Sequence, residues 1–364
     1  MKGRETISNQ QIKNLLITTA IGVGILSLPS QLALVLNNDG WLALIVGVLL
    51  IILILFLIDR VYRLYPNNSF YKIGIEVYGK VVFNILAIIS AVYFIMLAAY
   101  TSRVFGEVVK AYLLEITPIE VIILTMLLAT AYLSRAELQV LARTANMVYP
   151  ILLGLIIFLV VISIPASDPT NMLPVFNSDL KRLPKGLLAG LVSYAGYEVV
   201  FMMYPYSDDK DNVFKYSIRG LLIVAGIYII AFAMCLSLFG IDQLKRELWP
   251  TVSLANQVDL PGYFLENLEG IILALWVVVV YSTLGPEIFY ASRILARVFD
   301  TKSHDFFVLL IIPIIYIIAM LPTNVIQVYE IMGNIISYFS LVAGVFIPVF
   351  VFIGAWVKKR RSKA

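Results

Sequence analysis

Runs of about 20 apolar residues recur along the whole chain and are separated by short polar segments. A run of this length is what an α-helix needs to cross the hydrocarbon core of a bilayer. We therefore expect an all-α integral membrane protein with ten transmembrane helices and no separate soluble domain. The predicted spans cover residues 12–36, 41–58, 81–102, 118–134, 146–164, 186–206, 217–240, 268–290, 306–321 and 335–357.

Two of these spans, the first and the sixth, are interrupted near their centres. The first carries Gly22, Gly24 and Pro29, and the sixth carries Gly196 and Glu198. A helix at membrane depth is broken only where it faces protein or a water-filled cavity. Discontinuous spans therefore indicate a site for a small ligand. The alternative is that the glycines only allow neighbouring helices to pack closely.

The two halves of the chain carry their interrupted spans at corresponding places. Repeat one covers about 12–165, a polar loop follows, and repeat two covers about 186–357. Because each half has five spans, the second half must begin on the opposite side of the membrane. The layout predicts a 5+5 inverted repeat within a single transmembrane domain that fills residues 1–364. At 1.5 Å per residue, both breaks lie roughly 15–18 Å into their spans and meet near the bilayer centre.

Lysine and arginine are distributed unevenly between the predicted loops. With both termini in the cytoplasm, 20 of the 27 basic residues fall in inner segments, as expected because basic loops stay inside. This bias also explains the net charge of +4 and the basic carboxyl end. We expect the chain to lie in a lipid bilayer and not to bind nucleic acid.

The sequence offers little material for catalysis. His304 is the only histidine and Cys235 the only cysteine, and the chain has no nucleotide-binding or zinc-protease motif. We expect neither an enzyme nor a bound cofactor or metal.

Backbone groups freed by the two breaks are the first candidate ligand contacts. The N-terminus of the outer half-helix carries a partial positive charge, so its amides are expected to hold a carboxylate. Carbonyls and one acid of the sixth span are expected to face an amino group. The residues concerned are Gly22, Val23, Gly24 and Ile25 in the first span, and Ala195, Gly196, Tyr197 and Glu198 in the sixth.

Side chains inside the spans are the second group of candidates. Glu198 and Glu287 lie well within predicted spans, where an acid costs a few kcal/mol and is functional by default. Thr283 shares a helical face with Glu287, and Tyr93 belongs to an apolar face of the third span. Two structural alternatives remain: Glu287 pairs with Arg293 or reaches water, and Tyr93 packs against neighbouring helices.

Several short motifs resemble known families. The run from Gly22 to Pro29 with a 5+5 layout resembles the amino acid, polyamine and organocation transporter superfamily, whose fold is LeuT-like. More narrowly, the chain is similar over essentially its whole length to the B subunit of nutrient-sensing germination receptors of endospore-forming bacteria. The motifs that carry this second resemblance are residues 8–11, the loop from Asp59-Arg60 to Tyr65-Pro66, and Gly196-Tyr197-Glu198 through Tyr204-Pro205.

The resemblance implies a membrane subunit of a receptor in the spore inner membrane. Such subunits bind a germinant, often an amino acid, and work with a larger A subunit and a lipoprotein C subunit. The alternative is a cation-coupled secondary amino-acid transporter. Proton-coupled relatives carry a lysine in the fifth span, and residues 146–164 contain none. Sodium coupling through the hydroxyls of Ser282 and Thr283 stays open.

Overall fold

The computed structural model describes residues 6–66, 68–256 and 268–361, and most of these residues are helical. Within that part of the chain, the β contact recorded is a single isolated bridge between Ile7 and Ser207. The α-helices are α1 (Asn9–Ala20), α2 (Gly24–Leu36), α3 (Gly40–Leu64), α4 (Phe70–Tyr78), α5 (Lys80–Tyr112), α6 (Ile119–Ser134), α7 (Leu138–Ser163), α8 (Leu183–Ser193), α9 (Val199–Met203), α10 (Val213–Leu244), α11 (Pro250–Asn256), α12 (Leu268–Val298), α13 (Asp305–Met320), α14 (Val325–Gln327), α15 (Gly333–Ser340) and α16 (Ile347–Arg361).

The described helices confirm an all-helical, multi-pass membrane protein. Six stretches are long and apolar enough to cross a bilayer, and α6 and α13 are shorter apolar helices. The six are Gly24–Leu64, Lys80–Tyr112, Leu138–Ala166, Val213–Leu244, Gly270–Val298 and Val325–Arg361. Length and composition alone do not divide these stretches into ten crossings, so the number ten stays a prediction.

The first predicted span is broken between α1 and α2. A capping box starts α1: the Ser8 hydroxyl accepts from the Gln11 amide at 3.2 Å, and the Gln11 side chain accepts from the Ser8 amide at 2.9 Å. The helix stops at Ala20, and α2 begins only at Gly24. Partners from elsewhere replace helical bonds here, because the indole of Trp276 donates to the Gly22 carbonyl at 3.3 Å.

The sixth predicted span is broken between α8 and α9. The five residues from 194 to 198 form turns instead of helix. Gly196 has φ +102°, a left-handed conformation that glycine adopts without the steric cost a Cβ brings. The Glu198 carboxylate accepts from the Gly196 amide at 2.7 Å, which satisfies a donor that the broken helix leaves without its usual carbonyl.

The two breaks are in direct contact. The Tyr228 hydroxyl of α10 lies 2.8 Å from the Ala20 carbonyl at the end of α1, and 2.6 Å from the Ser193 carbonyl at the end of α8. A Cβ on Gly196 would lie 3.0 Å from the Thr19 carbonyl oxygen. One tyrosine therefore holds the C-terminal ends of α1 and α8, and glycine lets the backbones approach.

Three local features differ from the prediction. The segment 59–80, predicted as a loop, contains α4, which starts at the N-cap Ser69 and ends at Gly79 with φ +82°. Helix α5 continues ten residues beyond residue 102, because Val104, Phe105 and further apolar residues stay buried. The stretch Val325–Arg361, in which two π-helical turns, Val328–Met332 and Leu341–Phe346, join α14, α15 and α16, is continuous, and we call it the last helix.

Both described chain ends lie at one end of the molecule. The amide of Ile7 donates to the Tyr206 carbonyl at 2.9 Å. The loop that follows Tyr206 contacts the loop that follows α3, because the Lys210 ammonium donates to the Pro66 carbonyl at 2.7 Å. Beside it, the Lys359 ammonium lies 5.3 Å from the centre of the Tyr65 ring. We call this the basal end of the molecule.

Candidate ligand-binding site

A cavity of about 450 Å³, partly continuous with the exterior, lies where the two breaks meet. Six of the residues that the sequence predicts as ligand contacts line it: Gly22, Val23, Gly24, Ala195, Thr283 and Glu287. The structure therefore brings together elements from the first, sixth and eighth predicted spans.

Glu287 is the only acidic or basic side chain among those that line this cavity. Its side chain is buried, with 1% of the residue surface exposed. The Thr101 hydroxyl donates to Oε1 at 3.2 Å, whereas Oε2 has no hydrogen-bond partner among the described residues. Within the same part of the chain, no ion pair joins Glu287 to Arg293, whose guanidinium donates to the Tyr206 hydroxyl at 3.0 Å. Glu287 therefore presents one unpartnered acceptor to the cavity.

The N-terminus of α2 forms another wall of the cavity. No side chain caps this helix. Its N-cap residue Val23 and its first residue Gly24 line the cavity. The first amides of a helix have no intrahelical acceptor and carry its positive dipole end. This wall is suited to a carboxylate, as predicted for the outer half-helix.

Thr283 fixes α12 against α1 beside this wall. Its hydroxyl lies 2.8 Å from the Thr18 carbonyl and 3.1 Å from the Val279 carbonyl. A Cβ on Gly22 would lie 2.6 Å from Thr283 Cγ2, closer than such atoms approach. Glycine at position 22 is therefore required for α12 to lie this close to the first break.

The predicted residues Tyr93, Gly196, Tyr197 and Glu198 form a cluster that does not line the cavity. The Tyr93 hydroxyl donates to Glu198 Oε1 at 3.0 Å, and the Gly196 amide donates to Oε2. The Tyr197 hydroxyl donates to the Gly344 carbonyl at 2.8 Å, within a π-helical turn of the last helix. Both oxygens of Glu198 are thus already engaged. Direct ligand contact by these residues stays a prediction.

Ile25 also lies outside this lining. It borders a different pocket formed with α7 and α12. Its carbonyl accepts from the Thr251 hydroxyl at 2.8 Å, which joins α11 to the first turn of α2.

Several residues of the lining were not predicted, among them Thr101 and Tyr100 on α5. Thr101 lies eight residues after Tyr93, hence on the same helical face two turns further on. The sequence marks this face, but the packing of α12 along α5 decides which part of it reaches the cavity. Polar side chains of the first half of α2 complete the lining, where the Gln31 amide donates to the Ser27 hydroxyl at 2.9 Å.

The groups that line the cavity are suited to binding a small molecule with two opposite charges. The cavity combines one acid, hydroxyl groups and a helix N-terminus, an arrangement that recognises a positive and a negative group on one small molecule. Within the described residues, no group of three His, Cys, Asp or Glu is placed to hold a metal ion.

Comparison with known proteins places the chain among bacterial proteins of spore germination. The sequence model of a family described as "Spore germination protein" matches residues 6–328. Spore germination protein YndE of Bacillus subtilis (strain 168) is 25% identical over 98% of each chain. Spore germination protein A2 of the same organism is 27% identical over 83% of each chain. Spore germination protein GerLB of Bacillus cereus is 25% identical over 99% of this chain and 97% of its own.

Solved structures with the same fold are membrane transporters. A Na⁺-coupled sialic acid symporter in an outward-open state has TM-score 0.70 and 12% identity, over 98% of this chain and 80% of its own. The nucleobase-cation-symport-1 family transporter MHP1 in a closed conformation has TM-score 0.67 and 11% identity, over 96% and 78%. MhsT in complex with L-phenylalanine has TM-score 0.59 and 14% identity, over 97% and 89%. At these identities the likeness concerns the fold.

Proposed function

Because this chain belongs to the spore germination protein family, we propose that it is the membrane subunit of a nutrient germinant receptor. It binds a small germinant, an amino acid, in the cavity between the two helix breaks, and this binding triggers germination. The observation that carries the proposal is the buried carboxylate of Glu287, which presents an unpartnered oxygen to that cavity.

The ligand ammonium binds Glu287 and the ligand carboxylate binds the start of α2. A charge-assisted hydrogen bond to Oε2 satisfies the acceptor that lacks a partner, and such bonds are about twice as strong as neutral ones. The uncapped amides at the start of α2 donate hydrogen bonds to the ligand carboxylate. A zwitterion is favoured over a simple amine or a simple acid because each end of the molecule finds a partner.

The break between α8 and α9 is held in the shape that this ligand needs by Glu198, Tyr93, Gly196 and Tyr197. Glu198 joins the turn at residues 194–198 to α5 through Tyr93. Tyr197 joins it to the last helix through the Gly344 carbonyl. Residues that fix the wall of a site affect binding through geometry, so these side chains act as positioning residues.

The chain crosses the spore inner membrane ten times as a 5+5 inverted repeat, with both termini in the cytoplasm. The packing of α1 against α9, and of α2 against α8, supports this arrangement. In an inverted pair, the first half of one broken span lies beside the second half of the other. The shared basal position of both described chain ends supports an even number of crossings.

Occupancy is passed on to the receptor's larger A subunit and its lipoprotein C subunit. The ligand prefers one conformer of the helix bundle, and the size of that preference limits the signal that the partners receive. The hydrogen bond from Tyr197 in the break between α8 and α9 to a π-helical turn of the last helix supports a route by which binding is signalled to the partner subunits. Such turns are frequent at functional sites.

A deletion strain tests the proposal in the organism that carries this chain. Spores without the chain are expected to lose germination with particular amino acids, while cells still grow on those amino acids. Restoring the wild-type gene should restore germination. Full germination of the deletion spores with all twenty amino acids, in a strain that lacks related receptors, would contradict it.

The second candidate function, cation-coupled amino-acid transport, is favoured by the fold shared with known symporters. It predicts concentrative uptake of radiolabelled amino acid by the purified chain in liposomes, driven by a sodium gradient. Sodium would have to reach the carbonyl of Thr18, which the Thr283 hydroxyl contacts at 2.8 Å. Saturable binding without such uptake would favour the receptor.

A further inference from the structure

Two adjoining cavities lie at the basal end of the molecule and share no lining residue with the site between the breaks. They measure about 600 Å³ and about 410 Å³. Phe70, Tyr71, Met202 and Arg297 line both of them, so the two cavities are neighbours that share these walls. We call the two together the basal cavity.

The larger part of the basal cavity is apolar. Aromatic and aliphatic side chains from α4, α5, α9, α12 and the last helix surround it, among them Phe83, Phe94, Phe201, Ile294 and Ile347. A lining of this kind holds an apolar body by removing it from water. Glu198 also borders this part, but its oxygens accept from Tyr93 and the Gly196 amide.

The smaller part of the basal cavity is lined by an exposed positive charge, Arg297, and by a buried hydroxyl, that of Tyr290. Arg297, near the end of α12, is exposed and forms no hydrogen bond or ion pair with a described residue. Tyr290 lies seven residues earlier on the same helical face, and its buried hydroxyl has no hydrogen-bond partner among the described residues. Both residues line the same part of the cavity, and a guanidinium and a hydroxyl both donate hydrogen bonds, so the group that suits this part is an anionic acceptor.

We propose that the basal cavity binds an amphipathic anion, with its carboxylate or phosphate head on Arg297 and Tyr290 and its apolar tail among the phenylalanines. The position of Arg297 one residue before the end of α12 places the head near the membrane surface. Anionic membrane lipids and water-soluble amphiphiles share this chemistry, and basic pockets between membrane helices hold lipid head groups. The tail contacts Phe201 and Met202 of α9, the second half of the broken span.

Direct binding of tritiated decyl phosphate tests this proposal. The full chain in nanodiscs of neutral phosphatidylcholine should bind it saturably at one site. Arg297→Gln should weaken binding at least tenfold, and Tyr290→Phe about fivefold through loss of one hydrogen bond. Each methylene removed from the tail should weaken binding about fourfold. Arg60→Gln, an exposed arginine at the same end that lines neither part of the cavity, should bind like wild type.

Several outcomes would overturn the proposal. These are wild-type affinity of a correctly folded Arg297→Gln chain, equal binding of decanol or decylamine, or an absence of saturable binding. Folding is checked by gel filtration and by the melting temperature, since Arg297 forms no hydrogen bond or ion pair with a described residue whose loss would destabilise the chain. Competition by phosphatidylglycerol in the nanodisc identifies a lipid as the source of the anion. Undiminished probe binding in such nanodiscs identifies a soluble amphiphile.

Discussion

Glu198 and Glu287 are residues of the same type and are both buried, with 3% and 1% of their surface exposed, yet their surroundings differ. Both oxygens of Glu198 accept a hydrogen bond, from Tyr93 and from Gly196. Glu287 receives one bond from Thr101, and its second oxygen receives none. A buried acceptor without a partner costs about 1–3 kcal/mol, and more when it is charged. The partners of an acid, more than its burial, therefore separate a positioning role from a binding role.

Glu287→Gln gives the largest expected effect. The uncharged amide cannot form a charge-assisted bond to an ammonium group, so affinity for the amino acid should fall about 100-fold, or about 3 kcal/mol. The ligand is first chosen as whichever of the twenty amino acids most raises the melting temperature of the purified chain. Isothermal titration then measures the affinity of each variant.

The same variant should not be less stable without ligand. Replacing an acid whose Oε2 lacks a partner relieves a desolvation cost, so the melting temperature of the Glu287→Gln chain should equal or exceed that of wild type. Marked destabilisation would mean that Glu287 holds the fold together, and the contrast with Glu198 would disappear.

Gly196→Ala tests the scaffold that gives Glu198 its partners. An alanine at φ +102° is strained, and its Cβ would lie 2.9 Å from Thr19 Cγ2. Together these effects should cost about 2–3 kcal/mol of folding free energy, seen as a lower melting temperature. Gly24→Ala is the matched control in the other break, because its nearest neighbour would be at 3.6 Å. Equal melting temperatures of the two variants would contradict the account.

Glu198→Gln should show the reverse pattern of Glu287→Gln. The amide keeps one acceptor for Gly196 and lets the Tyr93 hydroxyl turn, so the loss of charge should cost about 1–2 kcal/mol of stability. Amino-acid affinity should change no more than about threefold, since the side chain lies outside the cavity lining. A 100-fold loss of affinity in a stably folded Glu198→Gln chain would instead place the ligand at Glu198.

Thr101→Val gives the smallest effect. It removes the one hydrogen bond that Glu287 receives while it keeps the shape of the side chain. Amino-acid affinity should fall about threefold to fivefold, or about 1 kcal/mol. Thr125→Val is the control, because the hydroxyl of Thr125 bonds only to carbonyls of its own helix. Indistinguishable titrations of the two variants would remove Thr101 from the site.

The helix breaks were predictable because their causes are local in sequence. Gly22 and Gly24 stand together in one span, and Gly196 with Glu198 interrupts another. The structure breaks both spans within these clusters, at 21–23 and 194–198. Helix α4 also had local signals that the prediction passed over, namely Ser69 as N-cap and Gly79 after its end.

The side of each helix that faces the ligand was not predictable in the same way. The rotation of a helix about its axis depends on what it packs against, and in this chain α12 lies along α5. This packing turns Thr101 toward Glu287 and leaves Tyr93 with Glu198. The role of Tyr228, which reaches both breaks from α10, likewise depends on contacts distant in sequence.

The most direct test of the central claim compares one amino acid with its deaminated carboxylic acid on two forms of the chain. Isothermal titration measures both ligands on the wild-type chain and on Glu287→Gln. If the unpartnered oxygen of Glu287 binds the ammonium, wild type should prefer the amino acid by about 100-fold, and Glu287→Gln should prefer it by less than about threefold. An undiminished preference in the variant would contradict the account.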